Sequence, residues 1–330
     1  MRYRKEFVIF LVICVHSLFA QKQEYATIGY LESFGTAFDK IVPLNSKIEI
    51  ISKGHVWTEG PVWIPVLNAL LFSDVPKNIA YKWTEKEGTV PFLYPSGFTG
   101  NPDSKRVKGS NGMFLNNKGL LILCQTGDRK IASLEISKEL KQSNFKTITD
   151  NFKGKKYNST NDLVVDSKGN IYFTDPNFGL NLKNKEIKFS GVYKVNVAGN
   201  VTLITSKYPT PNGIILSPDE KTLYISNSKP AKLIAIDLLK EGAFAKERIL
   251  FDAEDLWKKS IAKQRPDGMA IHKSGTIFMT GPDGVLLISP KGKHLGTIKT
   301  DRKTSNCTFN KEQSILYITC DDFVLRIALN

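Results

Sequence analysis

The sequence predicts an all-β chain folded as a six-bladed β-propeller with four antiparallel strands per blade, and three observations carry that prediction. One short pattern recurs six times in 330 residues. Turn-forming residues separate its aliphatic and aromatic runs at hairpin spacing. No long stretch of period 3.6 appears outside short segments such as 254–263.

Each recurrence has a leading polar residue, an apolar stretch, a turn and then a second apolar strand. Glu59-Gly-Pro-Val-Trp63 leads to Leu70-Leu-Phe-Ser-Asp74, and Asn111-Gly-Met-Phe-Leu115 to Leu121-Ile-Leu-Cys124. Asn161-Asp-Leu-Val-Val165 leads to Ile171-Tyr-Phe-Thr-Asp175, and Asn212-Gly-Ile-Ile-Leu216 to Leu223-Tyr-Ile-Ser-Asn227. Asp267-Gly-Met-Ala-Ile271 leads to Ile277-Phe-Met-Thr-Gly281, and Asn306-Cys-Thr-Phe309 to Leu316-Tyr-Ile-Thr319. The leading residues are separated by 52, 50, 51, 55 and 39 positions, room for four strands each. Turn formers such as Asp166-Ser-Lys-Gly-Asn170 and Ser217-Pro-Asp-Glu220 join the first two strands, and third strands such as Gly191-Val-Tyr-Lys-Val195 follow. Asp74, Asp175 and Asn227 end second strands, where each is expected to cap the turn that follows. The sixth repeat ends with Val324-Leu-Arg-Ile-Ala328 and lacks an outer strand, while Lys47-Ile-Glu-Ile-Ile51 precedes the first repeat without a partner. The N-terminal strand is therefore expected to close the ring, giving a propeller over 47–330 and an N-terminal extension over 21–46.

Residues 1–20 read as a signal peptide: a basic start, Met1-Arg-Tyr-Arg-Lys5, then an apolar run from Phe7 to Ala20 that is short for a bilayer span. The expected destination is secreted or periplasmic, with no stable membrane insertion after cleavage. Cleavage would lower the formal charge from +14 to +12, since Arg2, Arg4 and Lys5 leave with Glu6. The basic residues are scattered, with no run of five and no recognition-helix pattern, so nucleic acid is not an expected partner. A monomer or homodimer is expected. Cys124, Cys307 and Cys320 are an odd set without metal-ligand spacing. A hairpin turning at Asn310 to Gln313 places Cys307 opposite Leu316, so buried free thiols are expected.

The innermost strand of every blade lines the central channel, so residues at equivalent positions converge on one axis. Those residues are Glu59, Asn111, Asn161, Asn212, Asp267 and Asn306, and each carries a side-chain oxygen. Two carboxylates with amide carbonyls, and neither His nor Cys, form a hard-oxygen set suited to Ca²⁺, with Mg²⁺ or Mn²⁺ as alternatives. Glu59 and Asp267 are read as ligands because two carboxylates in a channel need a cation between them. Asn161 and Asn212 follow, while Asn111 and Asn306 are either neighbours of the site or turn formers. A Ser-His-Asp hydrolase is disfavoured, because His55, His272 and His294 lie in separate repeats and no Gly-x-Ser-x-Gly is present.

Over about residues 47–328 the chain resembles the SMP-30/gluconolactonase/luciferin-regenerating family. The motifs that carry the resemblance are Glu59-Gly-Pro-Val-Trp63 with Phe72-Ser-Asp74, Asn158-Ser-Thr-Asn-Asp162 with Tyr172-Phe-Thr-Asp-Pro176, Pro211-Asn-Gly213 with Ser217-Pro-Asp219, and Pro266-Asp-Gly268. The resemblance implies one divalent cation, Ca²⁺ first and Mg²⁺, Mn²⁺ or Zn²⁺ as alternatives, held by Glu59, Asn161, Asn212 and Asp267. It implies hydrolysis of a sugar lactone or related ester, with Asp267 as the catalytic carboxylate. Asn111, Arg129 and Asn306 are the candidate substrate contacts. Gln125-Thr-Gly-Asp-Arg129 matches a family stretch but has Thr126 where gluconolactonase-like members usually carry His, and the animal branch's substrate-binding Arg falls near Ser159. The alternatives are a secreted calcium-dependent binding propeller without turnover, and an organophosphate or aryl-ester hydrolase at the same metal.

Overall fold

Each of the six repeats becomes an antiparallel sheet, four-stranded in five blades and five-stranded in the fifth, and its first strand is the one that begins near the leading polar residue. The computed structural model describes residues 24–101, 108–136, 144–180, 183, 185–239, 244 and 247–330. The signal-peptide assignment, 1–20, lies outside them. The inner strands are Thr58–Ile64, Ser110–Leu115, Leu163–Val165, Pro211–Leu216, Met269–Ile271 and Thr304–Phe309.

Position within a blade dictates composition. A second strand has a blade packed on each face, so Ala69–Asp74 is buried at every residue, and its sequence is apolar from Ala69 to Phe72 before the polar Ser73 and Asp74. An outermost strand such as Arg248–Asp252 faces solvent and carries no fully buried residue. The cores lie between blades: Ile122, Cys124 and Ile131 of the second pack against Leu163, Phe173 and Tyr193 of the third.

The ring closes as expected. Glu49–Lys53 supplies the fourth strand of the last blade, pairing with Phe323–Ala328 so that Glu49 stands opposite Arg326. The Arg326 Nε donates to Glu49 Oε2 at 2.6 Å, placing a charge pair on the seam that joins the two ends of the chain.

Two readings need correction. In the last blade Phe309 faces Leu316 and Cys307 faces Ile318, because Asn310 carries the ladder one step further: its side-chain Oδ1 accepts the Ile315 N–H at 2.9 Å. Cys124, Cys307 and Cys320 are buried free thiols. The second correction concerns the extension, which is part of the propeller. Tyr30–Ser33 adds a fifth strand to the fifth blade beside His294–Lys299, and Thr27 bridges to Glu49 of the closing strand. Phe38 then inserts, fully buried, among Phe278, Val285, Leu287 and Leu295. The segment thereby straps the fifth and sixth blades across the closure. Phe38→Ala is expected to cost about 3–5 kcal/mol, read as a lowered urea midpoint. An unchanged midpoint would show that the strap docks without its anchor.

Candidate active site

Two sets of short polar side chains set the inner strands in place before any ligand is considered. Asp74 accepts the N–H groups of Val56 and Trp57 at 3.1 and 3.3 Å, and Asp175 those of Asn158 and Ser159 at 2.8 and 2.7 Å. Asn227 accepts the N–H of Thr210 at 3.1 Å. All three fasten the chain just ahead of Glu59, Asn161 and Asn212, and Asn227 in addition caps the turn that follows it, its Nδ2 donating to the Pro230 carbonyl at 2.7 Å. The second set crosses to the next blade. Ser73, Thr174, Ser226 and Thr280 donate their hydroxyls to the carbonyls of Asn111 (3.2 Å), Asn212 (2.6 Å), Asp267 (2.5 Å) and Ser305 (2.9 Å). Each bond fixes the height of one inner-strand residue along the channel.

The result is a layer of adjoining side chains. Asn111 Nδ2 donates to Asn161 Oδ1 at 2.8 Å, Asn161 Nδ2 to Asn212 Oδ1 at 2.6 Å, and Asn212 Nδ2 to Ser228 Oγ at 3.1 Å. Trp57 Nε1 donates to Glu59 Oε1 at 3.2 Å, and Gln264 Nε2 to Asp267 Oδ2 at 3.0 Å. Glu59, Asn161, Asn212 and Asp267 are all buried. The structure therefore brings together the four proposed ligands and Asn111.

Asn306 is not in that layer. The hydroxyl of Thr280 and the N–H of Gly268 both reach the Ser305 carbonyl, just as Gly112 N–H reaches that of Asn161, so Ser305 is the sixth blade's equivalent. The ladder shifts by one residue between Thr304 and Asn306, as it does at the same point in the first, second and fourth blades, so counting back from the pairs Leu216–Leu223 and Phe309–Leu316 matches Ser305 to Asn212 and leaves Asn306 one residue deeper, at the place of Gly213. There its Nδ2 donates to Asp162 Oδ2 at 3.3 Å and its Oδ1 accepts the Cys307 N–H at 2.8 Å. This deeper layer also explains the glycines after Asn111 and Asp267. A Cβ at Gly112 would lie 2.4 Å from Asp162 Oδ1, and one at Gly268 would lie 2.0 Å from the Asn306 Cγ. They leave space for two side chains that lie across the channel; the space beneath is a cavity of about 290 Å³ lined by Met113, Ile214, Met269 and Phe309.

Arg129 is held at the seam between the second and third blades, where its Nε donates to the Tyr157 carbonyl at 2.5 Å and its Nη2 lies 3.8 Å from Glu186. Thr126 turns its hydroxyl to the Thr160 carbonyl at 2.7 Å. Sequence reasoning missed Asp162, Gln264, Trp57 and Ser305. Asp162 was within reach, since it is the only acid that directly follows one of the six leading residues.

The electrostatics are those of acids kept from water. Burial pushes Glu59 up to about 8 and Asp162 up to about 7. Asp267 is raised well above the ordinary carboxylate range, first by burial and then by the charges of Glu59 and Asp162, with the Asn212 and Gln264 side chains partly offsetting them. Such a set asks for a positive charge. Among the described residues no three His, Cys, Asp or Glu side chains are grouped to hold a metal, so amide oxygens must complete any coordination. Two carboxylates with Asn161 and Asn212 fit a hard, oxygen-preferring ion and not one that selects nitrogen or sulfur.

The sequence profile described as SMP-30/Gluconolactonase/LRE-like region matches residues 57–321. The chain belongs to that family. Over 312 residues it is 35% identical to the gluconolactonase of Zymomonas mobilis, an alignment covering 92% of this chain and 86% of that one. A gluconolactonase structure from Xanthomonas campestris superposes with a TM-score of 0.80 at 24% identity, covering 94% of this chain and 99% of its own. A calcium-binding protein, regucalcin, from Agrobacterium tumefaciens does so with a TM-score of 0.67 at 15% identity, covering 85% and 93%. These two structures share the fold; the sequence relative marks the chain as a gluconolactonase-like member of the SMP-30/gluconolactonase family.

Proposed function

We propose that this gluconolactonase-like propeller is exported and hydrolyses a sugar lactone at the channel, with a divalent cation, Ca²⁺ in the first instance, held by Glu59, Asn161, Asn212 and Asp267. The observation that carries the reading is the convergence of two buried, mutually repelling carboxylates with three amide side chains in one layer. When bound, the cation supplies Lewis-acid polarisation of the lactone carbonyl. Asp267 takes the proton of a water attacking the carbonyl carbon; the ring C–O bond then breaks, and the ring oxygen leaves as a hydroxyl once protonated. Gln264 holds Asp267 Oδ2, which fixes the plane of the carboxylate that receives the proton. Attack by Asp267 itself is the other route, and label from H₂¹⁸O entering Asp267 in a single turnover would assign it.

The test is hydrolysis of a panel of aldonolactones, aryl esters and phosphotriesters by the mature protein, after chelation and after addition of calcium, magnesium, manganese or zinc. Preferential opening of an aldonolactone with one cation restored is the expected result. Preference for aryl esters or phosphotriesters would replace the substrate class. Tight cation binding without turnover would replace the enzyme with a binding propeller.

A further inference from the structure

Lys108 stands three residues ahead of Asn111, the same offset by which Gln264 precedes Asp267, and Gln264 reaches the carboxylate of that layer at 3.0 Å. Its backbone is fixed on both sides. Gly109 N–H donates to the Val75 carbonyl at 2.7 Å, and the Lys108 carbonyl rests against Gly127, where a Cβ would come within 2.3 Å. From there the side chain crosses to the third blade. Its Nζ lies over Gly179, where a Cβ would come within 1.7 Å of it and where a φ of +63° favours glycine. The neighbouring Phe178 carbonyl accepts the Ser159 hydroxyl at 2.9 Å, just ahead of Asn161. Lys108 thus spans the rim between the blades that supply Asn111 and Asn161.

Among the described residues, three other cations near this rim have partners. Arg129 is bound to the Tyr157 carbonyl and Glu186, Lys130 lies 3.1 Å from Asp128, and Arg265 stacks 3.5 Å over Trp257 while donating to the Ser228 carbonyl. Lys108 is half-buried and, among the described residues, has neither an acid nor a hydrogen-bond acceptor. Burial alone pulls its amine below the ordinary lysine value. A cation taken out of water with no counter-charge is unfavourable unless a ligand brings one.

We propose that Lys108 recognises an ionised carboxylate on the substrate, so that the preferred lactone is that of a sugar diacid and not a neutral aldonolactone. A compact ammonium on a flexible stem suits such a single charged group. The assignment rests on the lactonase reading above. Thr126, whose hydroxyl is committed to the Thr160 carbonyl, supplies no charge at this rim.

The experiment compares the wild type, Lys108→Met and Lys108→Arg on D-glucaro-1,4-lactone, which carries a carboxylate, and on neutral D-glucono-1,5-lactone, with folding checked by circular dichroism. The wild type is expected to favour the acidic lactone in kcat/KM. Lys108→Met should lose about tenfold on the acidic lactone, through KM, and less than about twofold on the neutral one. Lys108→Arg should keep most of the preference. Equal losses on both lactones, no loss on either, or no preference in the wild type would overturn the assignment. Hydrolysis of neither lactone would end the lactonase reading on its own. Lys108 would then be judged by calorimetric binding of D-glucarate: weaker binding by Lys108→Met supports the recognition role, and equal binding removes it.

Discussion

Asp267→Asn is expected to lower kcat for lactone opening by about 10²–10⁴-fold, the range for loss of a positioned general base, while the propeller stays folded. The substitution keeps the size of the side chain and an oxygen in the layer, and the Asp267 carbonyl that Ser226 holds is untouched. What goes is the basic oxygen, together with one of the two negative charges proposed to hold the cation. Burial and the nearby acids raise the affinity of Asp267 for a proton, which suits a group that must accept one from water. Measured by pH-stat at saturating lactone, a loss of less than threefold would show that another group accepts the proton. A loss in kcat/KM through KM alone would make Asp267 a binding residue.

Glu59→Gln has the second large effect, and its two consequences run in opposite directions. In the cation-free chain Glu59 is raised from 4.5 to about 8 by burial, with the charge of Asp162 adding to it. A folded-state value above the unfolded one means that the group's contribution is fully present below pH 4.5 and is lost as pH rises through 8. Asp162, raised from 3.8 to about 7, acts in the same sense over a lower window. The cation-free wild type is therefore expected to lose thermal stability progressively across that range. Glu59→Gln should be the more stable of the two at pH 8, with Tm higher by about 2–4 °C for each kcal/mol relieved. With calcium the order reverses: the wild type gains stability by mass action and the variant, lacking one ligand charge, gains little and is inactive. Scanning calorimetry at several pH values, with chelator and with calcium, reads all of this. A variant that is destabilised without cation would mean that Glu59 is held as a paired structural acid.

The fold was legible because repetition makes each blade corroborate the others: five of the six leading residues at near fifty-position spacing, second strands that are mostly apolar, and a strand before the first repeat that matches the one the sixth repeat lacks. The layer of Glu59, Asn111, Asn161, Asn212 and Asp267 was legible for the same reason, since equivalent positions in a closed ring must converge. Where the repeat is irregular the reading slipped. Asn306 looks like the other leading asparagines, but it stands three residues before Phe309 where the others stand four before the end of their runs, so the place equivalent to theirs falls to Ser305. Asp162 occupies a position where four other blades place glycine, so its role depends on what lies across the channel. The segment before residue 47 carries no repeat signal at all. Its place is set by Phe38 finding an apolar gap beside the fifth blade, a match of shape between distant parts of the chain.

The most direct test of a catalytic cation in the channel is the initial rate of aldonolactone opening by the protein at fixed pH, first stripped with chelator and then titrated with calcium, with Asp267→Asn run alongside. The expected result is a rate indistinguishable from spontaneous opening after stripping, recovery that saturates with one calcium per chain, and no recovery in the variant. Full activity in the stripped protein, or equal recovery in Asp267→Asn, would contradict it.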